Sequence, residues 1–196
     1  PTTLELGGKS PTIIGTNANM ALAAERILFS KTLNAGQICL SPDYIFVKKD
    51  QERNLISELQ KAYSKFFPEP NSHNQTSMVN KHHLKRMNSY LLDATKKGAT
   101  VESLGKNDDL DKNMISTKIV TEVNDDMDVM KHEIFGPVLP IMTYDSISDV
   151  VDYINKNDNP LGLYYFGRSQ SEQNFVINNT RSGGVTVNDT MFHILQ

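Results

Sequence analysis

Pro11-Thr12-Ile13-Ile14-Gly15, the stretch from Met20 to Leu33, and Asp43-Tyr44-Ile45-Phe46-Val47-Lys48 decide the fold. The first run is short, β-prone and closed by a glycine. Asn17 or Asn19 can cap a helix after it, and Ala24, Ile27, Leu28 and Leu33 then recur at helical spacing. Gly36 is placed to end that helix in a left-handed conformation. Asp43 to Lys48 reads as a second strand, rich in aromatic and β-branched residues. Strand, helix and strand in succession imply a crossover connection and parallel pairing.

The same alternation continues outward. A helix is expected over Gln51 to Phe67, with Leu55, Leu59, Ala62, Tyr63 and Phe66 on one stripe, stopped by Pro68 and Pro70. Another fits Lys81 to Lys97, with Leu84, Met87, Leu91 and Ala94 inward and Gly98 behind it. Strands are expected at Thr100-Val101, Lys118 to Val120, Val138 to Tyr144, Leu163 to Phe166 and Gly184 to Val187. Helices are expected from Asp145 or Ser146 to Asn157, and from Glu172 to Asn179. The predicted class is α/β, a three-layer α-β-α domain with a mostly parallel sheet. In such sheets sites gather in loops beyond the carboxyl ends of the strands, and that is the expectation here.

Composition bounds the function. A chain of 196 residues holds one sizeable core. Its net charge of −3 comes from interspersed acids and bases, which gives no electrostatic footprint for nucleic acid. No apolar run reaches the ~18 residues of a membrane span. A single cysteine cannot staple the chain to itself and favours a reducing, cytoplasmic compartment. Pro1 stands where a start methionine would, and motif-like sequence follows within three residues. Both features lead us to expect a single domain over residues 1–196, cut from a longer polypeptide.

Cys39 is that single cysteine. By default a lone cysteine is a small buried hydrophobe. This one follows Gly36-Gln37 past a helix end and precedes Pro42, so it lies in a loop, where an ionised thiol can attack a carbonyl carbon. Glu5 lies between Leu4 and Leu6, ahead of Gly7-Gly8. A carboxylate in such apolar company has its pKa raised toward neutrality, which suits a general base. Its plain alternative is a surface acid before a turn. Gly7-Gly8-Lys9-Ser10 fails as a phosphate loop, because position 3 is threonine where that motif needs glycine. His132-Glu133 fails as a zinc-protease helix, because position 136 is Gly. No metal site is expected.

Leu4-Glu5-Leu6-Gly7-Gly8-Lys9-Ser10-Pro11 resembles the glutamate signature of the aldehyde dehydrogenase superfamily, and Asn34-Ala35-Gly36-Gln37-Ile38-Cys39 resembles its cysteine signature. The interval between Glu5 and Cys39 matches that family too. Glu133-Ile134-Phe135-Gly136-Pro137-Val138 is similar to its nicotinamide-side motif, and Ser182 to Asp189 to its late strand near the substrate mouth. Ser41-Pro42-Asp43-Tyr44 resembles the class 3 and coniferyl aldehyde dehydrogenase branch in particular.

The resemblance implies oxidation of an aldehyde to a carboxylic acid with NAD or NADP. Cys39 would be the nucleophile, its backbone N–H one donor to the oxyanion, and Glu5 the base that activates water against a thioester. Glu133 would bond the nicotinamide ribose, Phe135 would pack beside the nicotinamide, and the main chain at Leu6 would approach its amide. Ile38, Leu40, Thr190, Met191 and Phe192 would line the aldehyde tunnel, and their apolar character favours apolar or aromatic aldehydes. The family's cofactor-binding domain and oligomerisation segment are expected to lie outside this chain, so the chain alone should turn over little. The parent enzyme is expected to be a homodimer or larger. Release of the acyl group to coenzyme A, a non-catalytic protein that keeps the fold, and a thiol hydrolase pairing Cys39 with a histidine are the competing readings.

Overall fold

A computed structural model describes residues 7–68, 75–106 and 108–194. The chain runs β1 (Pro11–Ile14), α1 (Met20–Thr32), β2 (Tyr44–Lys48), α2 (Glu52–Phe66), α3 (Lys81–Lys96), β3 (Thr100–Ser103), β4 (Lys118–Thr121), α4 (Asp128–Lys131), β5 (Val138–Tyr144), α5 (Ile147–Lys156), β6 (Gly162–Phe166), α6 (Gln170–Asn179) and β7 (Gly184–Val187). The strands form one seven-stranded sheet in the order β3-β4-β5-β2-β1-β6-β7. Every pairing is parallel except β3 with β4. The predicted three-layer α/β architecture is therefore what forms.

Alternation along the strands sends side chains to two cores. Ile14, Ile45, Val47, Ile119, Tyr164 and Phe166 pack on one face with the stripes of α1 and α2. Ile13, Phe46, Val120, Leu163 and Tyr165 pack on the other, with α3, α5 and Val176 of α6. Ile27 and Leu28 of α1 are fully buried, and burial of such side chains stabilises by about 1.5–3 kcal/mol each. Asn19 caps α1 by accepting the Leu22 N–H. Ser146 and Ser169 cap α5 and α6 in the same way.

Three details depart from the sequence reading. Leu33 is not on the buried stripe of α1 but 45% exposed, because the helix ends at Thr32 and the backbone turns extended at residue 33. The left-handed stop is not Gly36 alone: Asn34, Ala35 and Gly36 all have positive φ, at 51°, 55° and 70°. The short helix α4 was not anticipated; at four residues it carries too little periodicity to read.

Candidate active site

Cys39 sits in the connection from α1 to β2. Topology places such a connection at the amino ends of the parallel strands. The segments that lead into β1, β5, β6 and β7 meet it there, since the starts of these strands lie in register: Pro11 beside Tyr44, Gly162 beside Gly184. The expectation of a site at the carboxyl ends is thus corrected. The cysteine is reached from a helix end, not from a strand end, and that alone sets the edge it occupies. The carboxyl edge is tied off instead: the Glu172 carboxylate accepts from Thr16 N–H at 2.7 Å, from the Thr16 hydroxyl at 2.7 Å and from the Tyr165 hydroxyl at 2.9 Å.

The cysteine loop is built from the left-handed run. Ser41 N–H bonds the Ile38 carbonyl at 2.9 Å, closing a turn around Cys39. Cys39 is a free thiol, half-buried, and its own N–H donates no hydrogen bond among the described residues. The Gln37 amide bonds the carbonyls of Asn34 at 2.9 Å and Ser77 at 3.2 Å and accepts the Val79 N–H at 2.9 Å, so the loop is pinned to the segment before α3. A Cβ at position 36 would lie 2.5 Å from the Gly136 carbonyl oxygen. Only glycine allows that approach, and it brings the loop of Glu133 and Phe135 against the cysteine turn.

Asp43, four residues after Cys39, joins three segments. Its carboxylate takes the Lys9 ammonium at 2.7 Å and the Ile134 N–H at 3.1 Å. Lys9 also bonds the carbonyls of Val129 at 2.7 Å and His132 at 3.0 Å. The Lys31 ammonium stands 3.9 Å from Asp43, fully buried, with no hydrogen-bond partner among the described residues. Burial lowers its pKa to about 8; Asp43 and Glu133 oppose the fall and Lys9 adds to it.

Glu133 is half-buried. Its carboxylate lies against bare backbone: a Cβ at position 7 would come within 2.5 Å of Oε2. Burial and the Asp43 charge push the Glu133 pKa up, against the Gly8 N–H, Lys9 and Arg86, which pull it down. Phe135 is held with a left-handed φ of 47° and its ring is 37% exposed. A cleft of 590 Å³ opens beside this loop, lined by Gly7, Gly8, Lys9, Tyr44, Glu133 and Pro160 among others; Cys39 does not line it.

The predicted substrate residues gather on the other side of Cys39. Leu40 and Met191 share one core with Tyr164, and Ile38 and Cys39 pack against it. The Tyr164 hydroxyl donates to the Leu40 carbonyl at 2.6 Å, and its side chain packs in the same core as Met191. Tyr164 thereby hooks the cysteine loop to the loop after β7. Phe192 is 41% exposed and stacks on Phe29 of α1, with centroids 6.3 Å apart. Thr190 is fully buried, and its hydroxyl is engaged by Ser30 and the Arg26 carbonyl of α1. It stands behind the surface that Phe192 presents. Glu5 and Leu6 lie outside the described residues.

Sequence reasoning passed over Tyr164, Asp43, Lys31 and Arg86. Lys31 carried a signal, a charge seven residues after Ala24 and four after Ile27, on the apolar stripe. Tyr164 and Arg86 carried none, since their partners are 124 and 47 residues away.

A family model described as the aldehyde dehydrogenase family matches residues 1–195. A probable coniferyl aldehyde dehydrogenase of Caulobacter vibrioides is 44% identical over 201 residues, covering 100% of this chain and 41% of that protein. A coniferyl aldehyde dehydrogenase of Pseudomonas sp. is 39% identical over 203 residues, covering 100% and 42%. The solved substrate-bound state of Staphylococcus aureus AldH matches with a TM-score of 0.91 at 36% identity, over 98% of this chain and 42% of that one. The chain spans about two fifths of the length of these relatives. With the match running over all but the last residue, and with the fold shared, the chain belongs to the aldehyde dehydrogenase family.

Proposed function

We propose that this chain carries the nucleophile of an NAD- or NADP-dependent aldehyde dehydrogenase that acts on apolar or aromatic aldehydes of the coniferyl type. The observation that carries the reading is the packing of two loops on one sheet edge. The turn that presents the half-buried Cys39 and the loop that presents Glu133 and Phe135 touch backbone to backbone at Gly36 and Gly136.

In this reading the Cys39 thiolate attacks the aldehyde carbon, and the carbonyl oxygen becomes an alkoxide. The Cys39 N–H, which has no other acceptor among the described residues, is available to that oxygen. The residues suit a nicotinamide nucleotide: Glu133 offers a carboxylate to hydroxyl donors, over glycines that leave room, and Phe135 offers an exposed flat ring. Glu133 and Phe135 would hold NAD or NADP, which would supply the hydride acceptor for the carbon attached to Cys39. Glu5 then draws a proton from water, which attacks the thioester and frees the acid and the thiol. Ile38 packs with Cys39 against the core that holds Leu40 and Met191, and Phe192 offers an exposed apolar ring stacked on Phe29.

The test uses the complete protein with an aromatic aldehyde. Cys39→Ala should abolish NAD(P)H formation. Glu5→Gln should keep the first burst of NAD(P)H and slow steady turnover by about 10²-fold or more, the usual loss for a general base. Turnover by Glu5→Gln at the parent rate refutes the base, and activity in Cys39→Ala refutes the whole reading. No helix among the described residues is long and apolar enough to cross a membrane.

A further inference from the structure

Arg86, on α3, reaches the Glu133–Phe135 loop from the side opposite Asp43. Its guanidinium donates to the Glu133 carbonyl at 3.3 Å and to the Phe135 carbonyl at 3.4 Å. It is itself braced: it donates to the Tyr90 hydroxyl at 3.3 Å and its carbon stands 5.3 Å from the centre of the Tyr90 ring. Tyr90 in turn stacks on His132, the residue before Glu133, with centroids 6.4 Å apart. Between the two carbonyls, the Ile134 N–H is taken by Asp43. Three consecutive residues are thus held by charged groups from two sides.

The loop needs such holding. A phenylalanine at a φ of 47° is in a region that costs free energy for any residue with a Cβ. Left alone, Phe135 would relax to negative φ, which would turn its ring and swing the Glu133 carboxylate off Gly7. The fork of a guanidinium matches two carbonyls two residues apart; a lysine ammonium is a point donor that serves one well.

We propose that Arg86 is a positioning residue for the nicotinamide nucleotide: by pinning the carbonyls of Glu133 and Phe135, it holds both side chains in the pose that binds the cofactor. This rests on the function proposed above. Arg86 is given no contact with the reacting sulfur, so its loss should weaken cofactor binding and leave the thiol's chemistry alone.

The experiment measures two things on the complete protein, neither of which needs turnover. One is the Kd for NAD and for NADP, by calorimetry. The other is the rate at which iodoacetamide alkylates Cys39 without cofactor. Arg86→Met, which keeps length and loses every donor, should raise Kd by about tenfold or more, since a charged hydrogen bond is worth a factor of ten or so. Arg86→Lys should fall between, and alkylation should stay within about twofold of the parent in both. An unchanged Kd in Arg86→Met overturns the proposal. So does a Kd change matched by an equal change in alkylation, or failure of both variants to fold, because each makes Arg86 a general structural residue. If the parent protein binds neither nucleotide, it is the underlying functional reading that fails, and the alkylation rates of parent and variants record that separately.

Discussion

Replacing Lys31 by methionine should make the protein more stable at neutral pH, by an amount that vanishes as pH rises. Lys31 is fully buried, 3.9 Å from Asp43, and its amine has no hydrogen bond among the described residues. Burial lowers its pKa from 10.5 to about 8. The folded state therefore disfavours the ammonium relative to the unfolded chain. The fall is worth about 3 kcal/mol. Below about pH 8 the amine is charged in both states and the whole penalty is present. Between about pH 8 and 10.5 the unfolded chain binds more protons than the folded one, so stability climbs with pH. Methionine matches the length and carries no charge. Asp43 keeps the Lys9 ammonium and the Ile134 N–H, so it is not left alone by the change. Hence Lys31→Met should exceed the parent by up to about 3 kcal/mol at pH 7 and approach it near pH 10.5. Urea unfolding of both complete proteins from pH 7 to 10.5, followed by far-UV circular dichroism, reads the difference. The buried tyrosines Tyr44 and Tyr164, whose pKa values burial pushes up, titrate in both proteins and cancel. Parallel curves across this range would refute the reasoning, because a depressed buried ammonium cannot be silent there.

Two further substitutions separate the halves of the site. Tyr164→Phe removes the hydroxyl that bonds the Leu40 carbonyl at 2.6 Å. It should cost about 1–3 kcal/mol in urea unfolding, because a buried backbone carbonyl loses its partner; a loss under about 0.5 kcal/mol would mean that the hook is not formed. Gly7→Ala puts a methyl 2.5 Å from the Glu133 Oε2. The carboxylate must move, so Kd for NAD(P) should rise by about tenfold or more while Cys39 alkylation holds; unchanged Kd would remove Glu133 from the cofactor site.

The layout of the fold is legible because its signals are local. Asn19, Ser146 and Ser169 sit where caps belong, and the stripes of α2 and α5 recur at helical spacing. What was misread has physical reasons. Leu33 follows the α1 period in sequence, but the helix ends at Thr32 and the backbone leaves helical geometry at residue 33, ahead of the left-handed run at 34–36. The sheet edge that holds Cys39 was assigned from a general rule about carboxyl ends, although a cysteine between a helix and the next strand has to lie at the amino ends. Of the candidate site, Cys39 stands out by its turn-rich surroundings, whereas the motif of Glu133 and Phe135 reads unaided only as a loop and its roles come from the family resemblance. Arg86 and Tyr164 do not stand out, because each acts through a carbonyl brought close only by the tertiary fold.

Placing the site at the amino edge has an electrostatic consequence. The carboxyl end of α1, not its amino end, faces the cysteine turn, so the helix-end partial charge there is negative. Lys31 lies in the last turn of α1, where a cation complements the helix end, and Lys9 arrives from the segment that leads into β1. Asp43 pairs with both, and it lies four residues after Cys39. The same carboxylate fixes Ile134, between Glu133 and Phe135. The loop proposed to hold the cofactor is therefore tied to the cysteine segment as well as to the end of α4 that precedes it. A displacement of β2 would carry the Cys39 sulfur and this loop together and preserve their spacing, which the proposed hydride transfer from a carbon bound to Cys39 would require.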